Sequence, residues 1–381
     1  MKGFFKSKPP TPSPPQYTKP IKFAQGNFGV IYRAIEVSNN SEIAIKIERT
    51  QKKSDHTLKH EALILKSLKN TLGVPELLYF SQESTYSILI MPLYGQDTKE
   101  LFTKKANFSN DDALFIVSQV LAILERVHAK KIIHRDLKPA NIVLSQDGKS
   151  LVLIDFGLAS FYCNEAGVHI KQKPTEQYIG NMRFGSTRGH FFQEMSRKDD
   201  LESLGYMILY FLKGSLPWDH LDMKDQRKKI MEIGRMKATL DVASLCKNEE
   251  YPDEISEYFN IVRNLKFDEE PNYKLLRETL ANAEIKMKKK ELELSNKNKL
   301  QMVCSSPEKD CRTLDAAIFK EKMMFFSQTK VEKENFRDYN CNPDEENSLI
   351  FLSEKYDDIY QKGIGFMNPF AKKQSMCFKK T

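Results

Sequence analysis

The sequence predicts an α+β fold with two lobes: a small antiparallel β-sheet lobe with one main helix, and a larger α-helical lobe. Residues Ile21 to Glu48 alternate between apolar and polar types, as paired strands do. After them the apolar spacing becomes helical, and Leu204 to Leu212 is apolar on every side, which is typical of a buried helix. A chain of 381 residues that is 40% hydrophobic can bury a large core, so a wholly disordered chain is excluded.

Residues 1–16 form a proline-rich arm that cannot build a core. Five prolines fall between Pro9 and Pro15, a composition that favours an extended polyproline II chain. We expect this arm to be flexible. Its Pro-x-x-Pro spacings also suit a proline-reading domain, and the residues leave that alternative open.

The alternating region is interrupted at Ser38 to Glu42, where Ser-Asn-Asn-Ser-Glu favours a turn. Paired strands are therefore expected on both sides of this turn. Three later helices are indicated by spacing and capping residues. The first has the face Leu58, Glu61, Leu65 and Leu68; the second is capped by Ser109 and Asn110 and has the face Leu114, Val117, Leu121 and Leu124; the third starts with a capping box at Ser196 and Asp199 and stops at Gly214.

Residues 286–381 are predicted to be a Lys-rich linker and tail. Lys286 to Lys299 favours a solvated helix or a linker. The segments Leu314 to Phe326 and Leu349 to Tyr360 have apolar residues at helical spacing, so each could dock on the main domain and restrain it, or bind a protein partner. The last residues mix phenylalanine with lysine, which suits a membrane surface, an acidic partner or a disordered basic end.

Composition restricts the function classes further. Lys and Arg number 59 and Asp and Glu 51, and a nucleic-acid-binding protein is not favoured because no aromatic-basic recognition motif accompanies the net charge of +8. The six cysteines lack the paired spacings of a zinc site or disulfide framework. Apolar runs fall short of the roughly 18 residues that cross a bilayer, and no secretion signal is evident. We expect a cytoplasmic chain with reduced thiols, and the nucleus is a second candidate location.

The most specific pattern is HRDLKPAN, from His134 to Asn141, followed by Asp155-Phe156-Gly157 at the end of the apolar strand LVLI. Upstream lies IAIK, which ends at Lys46. In order and spacing, these motifs resemble the signature of protein kinases. The resemblance implies a two-lobed, protein-kinase-like fold.

Phosphoryl transfer explains the residue types in these motifs. Charge spreads over the phosphate oxygens in a loose transition state, so such an enzyme mainly positions groups and supplies counter-charge. Asp136 would accept the hydrogen bond and then the proton of the substrate hydroxyl, and Lys138 can reach the moving γ-phosphate. Asn141 and Asp155 offer the oxygen ligands that Mg²⁺ prefers.

Upstream residues complete a nucleotide site. In the strand that contains Lys46, Ala44 shares its face, so Lys46 can reach the phosphates of ATP and pair with Glu61 while the small Ala44 leaves room for the base. The segment AQGNFGVI takes the place of a glycine-rich loop with Ala24 at its first glycine position, and Met91 to Tyr94 would form the hinge. The residues expected to bind ATP are Phe23, Ala24, Gln25, Gly26, Asn27, Phe28, Gly29, Ile31, Ala44, Lys46, Glu61, Met91 and Leu93.

From about Tyr17 to Leu280 the sequence resembles the catalytic domain of casein kinase 1, and we place the domain at residues 17–285. Ser196 to Trp218 is similar to the helix F region of that family, and Lys266 to Arg277 to a stretch near its domain end. Ser186-Thr187-Arg188 stands where the family has Ser-Ile-Asn, a departure that concerns substrate docking.

This resemblance implies a Ser/Thr kinase that uses ATP and Mg²⁺ and prefers acidic or already phosphorylated protein substrates. Basic residues would hold the substrate phosphate, since Arg in particular suits phosphate geometry. The candidates are Lys173, Arg183, Arg227 and Lys229. Glu176 occupies a position that is usually basic in the family, so we expect weaker phosphate priming.

A second hypothesis is a pseudokinase scaffold that binds partners without phosphoryl transfer. Ala24, Pro92 and the altered Ser186-Thr187-Arg188 segment motivate it. A thermal shift with Mg-ATP, measured together with phosphate transfer, separates the two hypotheses.

Overall fold

The computed structural model describes residues 15–26, 29–49, 57–104, 108–248 and 251–304. Contacts between residues divide the chain into two units, Met1–Lys288 and Lys289–Thr381. The sheets and all of the motif residues lie in the first unit. The described part of the second unit is the end of the last helix.

A five-stranded antiparallel sheet forms the N-terminal lobe, with the strand order β1-β2-β3-β5-β4. Its strands are β1 (Ile21–Gly26), β2 (Gly29–Ile35), β3 (Glu42–Arg49), β4 (Tyr79–Gln82) and β5 (Tyr86–Pro92). The predicted turn lies between β2 and β3, and Asn40 there has the positive φ of 57° that Asn tolerates in turns. The register pairs Lys46 with Ile31 on one side and Leu89 on the other.

The two faces of β3 contact different apolar clusters. Ala44 belongs to the main core together with Leu58 and Leu65 of helix α1 (Thr57–Ser67), whereas Ile43 and Ile45 belong to a small cluster on the other face of the sheet. This alternation was predicted from the sequence and is confirmed. It places Lys46 on the α1 side of the sheet.

The C-terminal lobe is mostly helical, with two short strand pairs. Its helices are α2 (Thr98–Lys104), α3 (Asn110–Ala129), α4 (Thr187–His190), α5 (Arg197–Lys213), α6 (Gln226–Ala238), α7 (Val242–Asn248), α8 (Asp253–Asn264) and α9 (Tyr273–Cys304). Strand β6 (Ile132–Ile133) pairs with β9 (Ser160–Phe161), and β7 (Ile142–Leu144) pairs with β8 (Leu151–Leu153). The motif loops connect these strands.

The predicted capping signals determine where two of these helices begin. Ser109 caps α3 through reciprocal bonds with Asp112, and the backbone N–H of Ser196 donates to Asp199 Oδ2 (2.7 Å) at the start of α5. Helix α5 is buried from Leu201 to Phe211 and ends at Gly214, whose φ is 82°. Each large apolar side chain buried there stabilises the fold by about 1.5–3 kcal/mol. Helix α5 therefore provides a rigid support for the loops that contact it.

The predicted α+β class with two lobes is confirmed. The stretch Lys286 to Lys299 lies within α9, so the helix alternative holds for it. The arm at residues 1–14 and the segments Leu314 to Phe326 and Leu349 to Tyr360 lie outside the described residues. None of the helices within the described ranges is both long and apolar enough to cross a membrane.

Candidate active site

The loop after β6 is held in place by one buried carboxylate. Asp200, in the first turn of α5, accepts hydrogen bonds from the backbone N–H groups of His134 (2.7 Å) and Arg135 (2.9 Å). Arg135 has a φ of 66°, a left-handed conformation that costs a residue with a side chain about 1–3 kcal/mol. The bonds to Asp200 offset this cost and fix the direction in which the chain enters the loop.

The charge of Asp200 is itself stabilised. Burial alone would raise the pKa of this carboxyl group, but the hydrogen bond with His128 Nε2 (2.9 Å to Oδ2) and the neighbouring His134 outweigh burial, so the pKa is lowered. Asp200 therefore stays ionised at neutral pH and remains a strong acceptor for the loop.

Asp136 lies two residues after His134, with its carboxylate surrounded by three side chains. Lys138 Nζ lies 2.5 Å from Asp136 Oδ2, and Asn141 Nδ2 lies 3.3 Å from the same oxygen and 2.9 Å from the Asp136 backbone carbonyl. Asn181 Nδ2 donates to the other oxygen, Oδ1, at 2.9 Å. Asp136 is 6% exposed. A carboxylate held in this way can accept a proton from a hydroxyl group placed beside it.

Gly180 brings Asn181 to Asp136. Its φ is 94°, and a Cβ atom there would lie 2.3 Å from the backbone oxygen of Arg135, which is closer than real contacts allow. Glycine is therefore required at this point, because only its backbone combines the positive φ with the close approach. Asn181 also donates to the Leu137 carbonyl (3.0 Å), so it ties the downstream segment to the loop.

The second motif places Asp155 opposite Lys46. Asp155 has a φ of 68°, and the next side chain, Phe156, is fully buried against the ring of His134 at a centroid distance of 4.9 Å. Asp155 itself remains 40% exposed, and its Oδ1 lies 3.9 Å from Lys46 Nζ. The buried ring fixes the backbone, so the Asp155 carboxylate faces solvent on the Lys46 side.

Lys46 pairs with Glu61 as predicted, at 2.7 Å between Nζ and Oε1. Burial would lower the pKa of Lys46, but the carboxylates of Glu61 and Asp155 outweigh it, and the pKa is raised. Lys46 is therefore positively charged at neutral pH and can serve as counter-charge to phosphate.

Helix α1, which carries Glu61, is positioned by two further contacts. Glu48, at the end of β3, caps its first turn by accepting from the backbone N–H of Leu58 (3.1 Å) and from the Thr57 hydroxyl. One turn later, His60 Nε2 lies 2.7 Å from the backbone oxygen of Ala159, just after the Asp155 motif. The position of Glu61 therefore depends on β3, through Glu48, and on the segment after Asp155, through Ala159.

The two metal candidates present oxygen atoms of suitable chemistry. Because Asn141 Nδ2 donates to Asp136, its amide oxygen is left to bind a cation, and Asp155 adds a carboxylate. In the described ranges no group of three or more His, Cys, Asp or Glu residues could hold a metal ion by itself. This donor set fits Mg²⁺, which is commonly held by one or two protein groups together with water and substrate phosphates.

The nucleotide loop is described in part. Phe23, Ala24 and Gln25 lie on β1 with exposed side chains, and Gly26 ends that strand opposite Gly29. Gly29 has a φ of 141°, and a Cβ atom there would lie 2.2 Å from the Ile47 carbonyl oxygen, so this glycine is required. Asn27 and Phe28 lie outside the described residues.

The expected adenine pocket is lined by apolar residues of three strands. Ala44 and Met91 are buried and paired across β3 and β5, and Ile31 and Leu93 are partly buried against the same core. The backbone N–H of Leu93 donates to the Glu42 carbonyl (2.9 Å). Leu93 therefore contributes its side chain, and the following residue, Tyr94, is the better candidate for a backbone donor to a base.

The four candidates for substrate phosphate each have separate surroundings. Lys173 Nζ lies 3.7 Å from Glu194 Oε2, Arg183 forms a two-point ion pair with Asp219, and Arg227 lies over the Phe192 ring at 4.7 Å. Lys229 is half-buried in the first turns of α6. An incoming phosphate would have to compete with Glu194 and Asp219 for two of them.

Two residues that shape the site, Asn181 and Asp200, were not predicted from the sequence. For Asp200 a signal existed, since it follows Asp199 at the start of a helix predicted to be buried, and a buried carboxylate needs donors. Asn181 carries no such signal, because its partner Asp136 lies 45 positions away in the chain.

The family model described as the protein kinase domain matches residues 17–289, more than half of the 381 residues. The match includes every motif residue described above.

Proposed function

The chain belongs to the protein kinase family, and on this premise we propose that it is a Ser/Thr kinase of the casein kinase 1 type. Its proposed reaction moves the γ-phosphate of ATP to a hydroxyl group of an acidic or already phosphorylated protein substrate.

The observation that carries the proposal is the convergence of six side chains. Asp136 is in contact with Lys138 and Asn141, and Asp155 lies 3.9 Å from Lys46, which is paired with Glu61. Five of them belong to three separate sequence motifs, and Glu61 belongs to α1. Their number, charge and type match what transfer from a metal-bound triphosphate requires.

The proposed mechanism gives each group one task. Asp136 orients the substrate hydroxyl and accepts its proton as the bond to phosphorus forms. The ammonium group of Lys138, next to Asp136, offsets the negative charge on the transferred phosphate, and Lys46 does the same for the remaining phosphates. Bound Mg²⁺ would neutralise phosphate charge, held through Asn141 and Asp155.

The ATP site is proposed to combine the loop from Phe23 to Gly29, the strand residues Ile31, Ala44 and Lys46, and the hinge. We assign the base to the side of the sheet where Ala44 and Met91, which are both buried, are paired across β3 and β5. Tyr94 is proposed as the backbone donor because the Leu93 N–H is already bonded to Glu42.

The casein kinase 1 assignment is supported by the sequence of α5 and of the domain end, and acidic selectivity by the cations Lys173, Arg183, Arg227 and Lys229. Of these, Lys173 has 69% of its side chain exposed, and its Nζ lies 3.7 Å from Glu194 Oε2. This distance is long for an ion pair, so a substrate phosphate can compete with Glu194 for Lys173.

The experiment is a transfer assay on the purified full-length chain with Mg-ATP. Acidic peptides with a single Ser, Thr or Tyr acceptor, with and without an upstream phosphoserine, serve as substrates next to casein. We expect transfer to Ser and Thr, faster with the phosphoserine, and loss of several powers of ten in Asp136→Ala. Transfer mainly to Tyr, or unchanged activity in Asp136→Ala, would refute the proposal.

A further inference from the structure

A cavity of about 190 Å³ opens beside the proposed catalytic base. Lys138 and Asn181 form the wall nearest to the base, and each of them contacts the Asp136 carboxylate. The cavity is therefore one side chain away from the position of the acceptor hydroxyl. The proposed phosphoryl transfer uses Lys138 in this wall, but it gives no task to Pro139, Ala140, Phe184 or Tyr210, which line the rest of the cavity.

The interior of the cavity is apolar. Phe184 and Tyr210, which are 5% and 4% exposed, present their rings at a centroid distance of 5.4 Å, and Pro139 and Ala140 of the catalytic loop add aliphatic surface. Tyr210 belongs to the buried helix α5, so this surface is rigid. Rigid, apolar concave surfaces suit a large apolar side chain.

The charged residues that line the cavity are all cations, and two of the three already have a carboxylate partner. Arg183 lies over the Tyr210 ring at 4.3 Å and pairs with Asp219, and Lys138 contacts Asp136. Lys99 stands exposed at the rim. Of the residues that line the cavity, all within the described part of the chain, none is acidic.

From these observations we propose that the cavity is a substrate subsite that selects a large apolar side chain and rejects Lys and Arg. A basic side chain would meet the positive charge of Lys99 and two cations whose carboxylate partners are already engaged, with no free carboxylate of its own, whereas Leu, Met or Phe would cover the two rings. This inference rests on the proposed function, because it assumes a peptide whose hydroxyl lies at Asp136. It takes Arg183 as a wall residue that stays paired with Asp219, so that Lys173, Arg227 and Lys229 are left to bind a substrate phosphate.

Peptide geometry indicates which substrate residue enters. In an extended chain successive side chains point to opposite sides and rise about 3.3 Å per residue. The residue two positions from the acceptor therefore points to the same side as the acceptor, roughly 7 Å away. This spacing matches a cavity that begins one side chain beyond Asp136.

The test is a peptide series phosphorylated by the full-length chain. Each peptide has one acceptor serine in a constant acidic background, and Ala, Leu, Asp or Arg is placed in turn at every nearby position on both sides. We expect kcat/KM for Leu to exceed that for Ala by about tenfold or more at one position, since one apolar pocket typically discriminates 10- to 200-fold. Arg at that position should be the poorest.

Two variants test whether the cavity causes this preference for Leu. Ala140→Glu places a carboxylate on its floor and should abolish the preference for Leu while favouring Arg. Lys99→Glu reverses one rim charge on an exposed side chain and should raise kcat/KM for the Arg peptide severalfold. Lys104→Glu, an exposed residue of α2 that does not line the cavity, is the matched control and should behave as the wild type.

The outcomes separate the two proposals. If the Ala peptide is not phosphorylated by the wild type, the proposed function fails and this inference falls with it. If the Ala peptide is phosphorylated but Leu gives no advantage, or Asp is preferred to Leu at that position, the subsite is wrong while the function stands. The same conclusion follows if a folded Lys99→Glu and a folded Ala140→Glu keep the wild-type preferences.

Discussion

The Asp136 carboxylate depends on neighbours from two distant parts of the sequence. Lys138 and Asn141 come from its own loop, whereas Asn181 arrives from the segment after Gly180. Two residues with positive φ, Arg135 and Asp155, are held by hydrogen bonds and by ring packing. Strained backbone of this kind persists only where surrounding contacts hold it in place.

Gly180→Ala tests this arrangement at a single residue. Its new methyl group would lie 2.3 Å from the Arg135 carbonyl oxygen, so the loop or the Asn181 segment must move. We expect kcat to fall by about tenfold or more, because small misplacement of a catalytic group can cost up to 100-fold. Steady-state kinetics with Mg-ATP and an acidic peptide measure this loss.

The matched control is Gly148→Ala. Gly148 also has a positive φ, 70°, but a methyl group there meets nothing within 4 Å. This variant should lose only about 1 kcal/mol of stability from backbone strain and keep its kcat. Equal kcat losses in the two variants would show that the close approach to Arg135 has no role.

The contacts between site residues could be predicted from the sequence alone where the residues belong to recognisable motifs. Lys46 and Glu61 form the pair that the face pattern predicted, and Asp136 lies beside Lys138 and Asn141. Asn181 was not predictable, because its importance arises only when the backbone turns at Gly180 and meets a loop 45 positions earlier.

At the scale of elements, the first turn of α5 holds two neighbouring carboxyl groups whose pKa values are shifted in opposite directions. Asp200 accepts hydrogen bonds from the loop, and its pKa is lowered. Asp199 caps the same helix, but burial, the largest effect, raises its pKa to about 7. The helix start is therefore sensitive to pH near neutrality.

The sign of this dependence follows from proton binding. Between the unfolded pKa of 3.8 and the folded pKa of about 7, Asp199 binds its proton more strongly in the folded chain. Its contribution to the free energy of unfolding is therefore greatest at low pH and is lost as pH rises to about 7. Asp199→Asn removes this loss while keeping an acceptor for the Ser196 N–H.

We expect Asp199→Asn to gain stability relative to the wild type by about 2–3 kcal/mol as the pH is raised from 5 to 7, since each pH unit corresponds to about 1.4 kcal/mol per proton. Denaturant unfolding of both proteins at several pH values measures the difference. A stability difference that stays constant from pH 5 to pH 8 would contradict the raised pKa.

The start of a helix could be predicted from the sequence where its capping residue lies next to it in the chain. It could not be predicted where the capping residue is distant in the chain. Helices α3 and α5 begin at capping residues that lie beside them in the chain. Helix α1 is capped by Glu48, a strand residue, and is tied to Ala159 through His60. Local patterns cannot show such contacts, because they depend on how the sheet packs against the second lobe.

At the scale of the whole molecule, one continuous core joins the sheet to the helices. It extends from Ala44 and Met91 in the first lobe to Leu276, Leu280 and later residues of α9. On α9, Ala283 and Met287 are buried, and Lys286 Nζ lies 2.5 Å from Glu254 Oε1. Helix α9 thus belongs to the protein kinase domain at least as far as Met287.

Truncation tests where the domain ends. A chain ending after Lys289 should melt within a few degrees of the full-length protein. A chain ending after Asn282 loses Met287, whose burial contributes about 1.5–3 kcal/mol, and should melt several degrees lower. Calorimetry of the three chains measures this. Equal melting of the two truncated chains, or a large loss in the longer one, would contradict the assignment.

The most direct test of the central claim is the rate of phosphoryl transfer by wild type and Asp136→Asn at saturating Mg-ATP, with nucleotide binding followed by thermal shift in the same samples. We expect Mg-ATP to raise the melting temperature of both proteins, and the wild type to transfer phosphate faster than Asp136→Asn by several powers of ten. A wild type that binds Mg-ATP without transfer, or an Asp136→Asn variant that transfers at the wild-type rate, would contradict this claim.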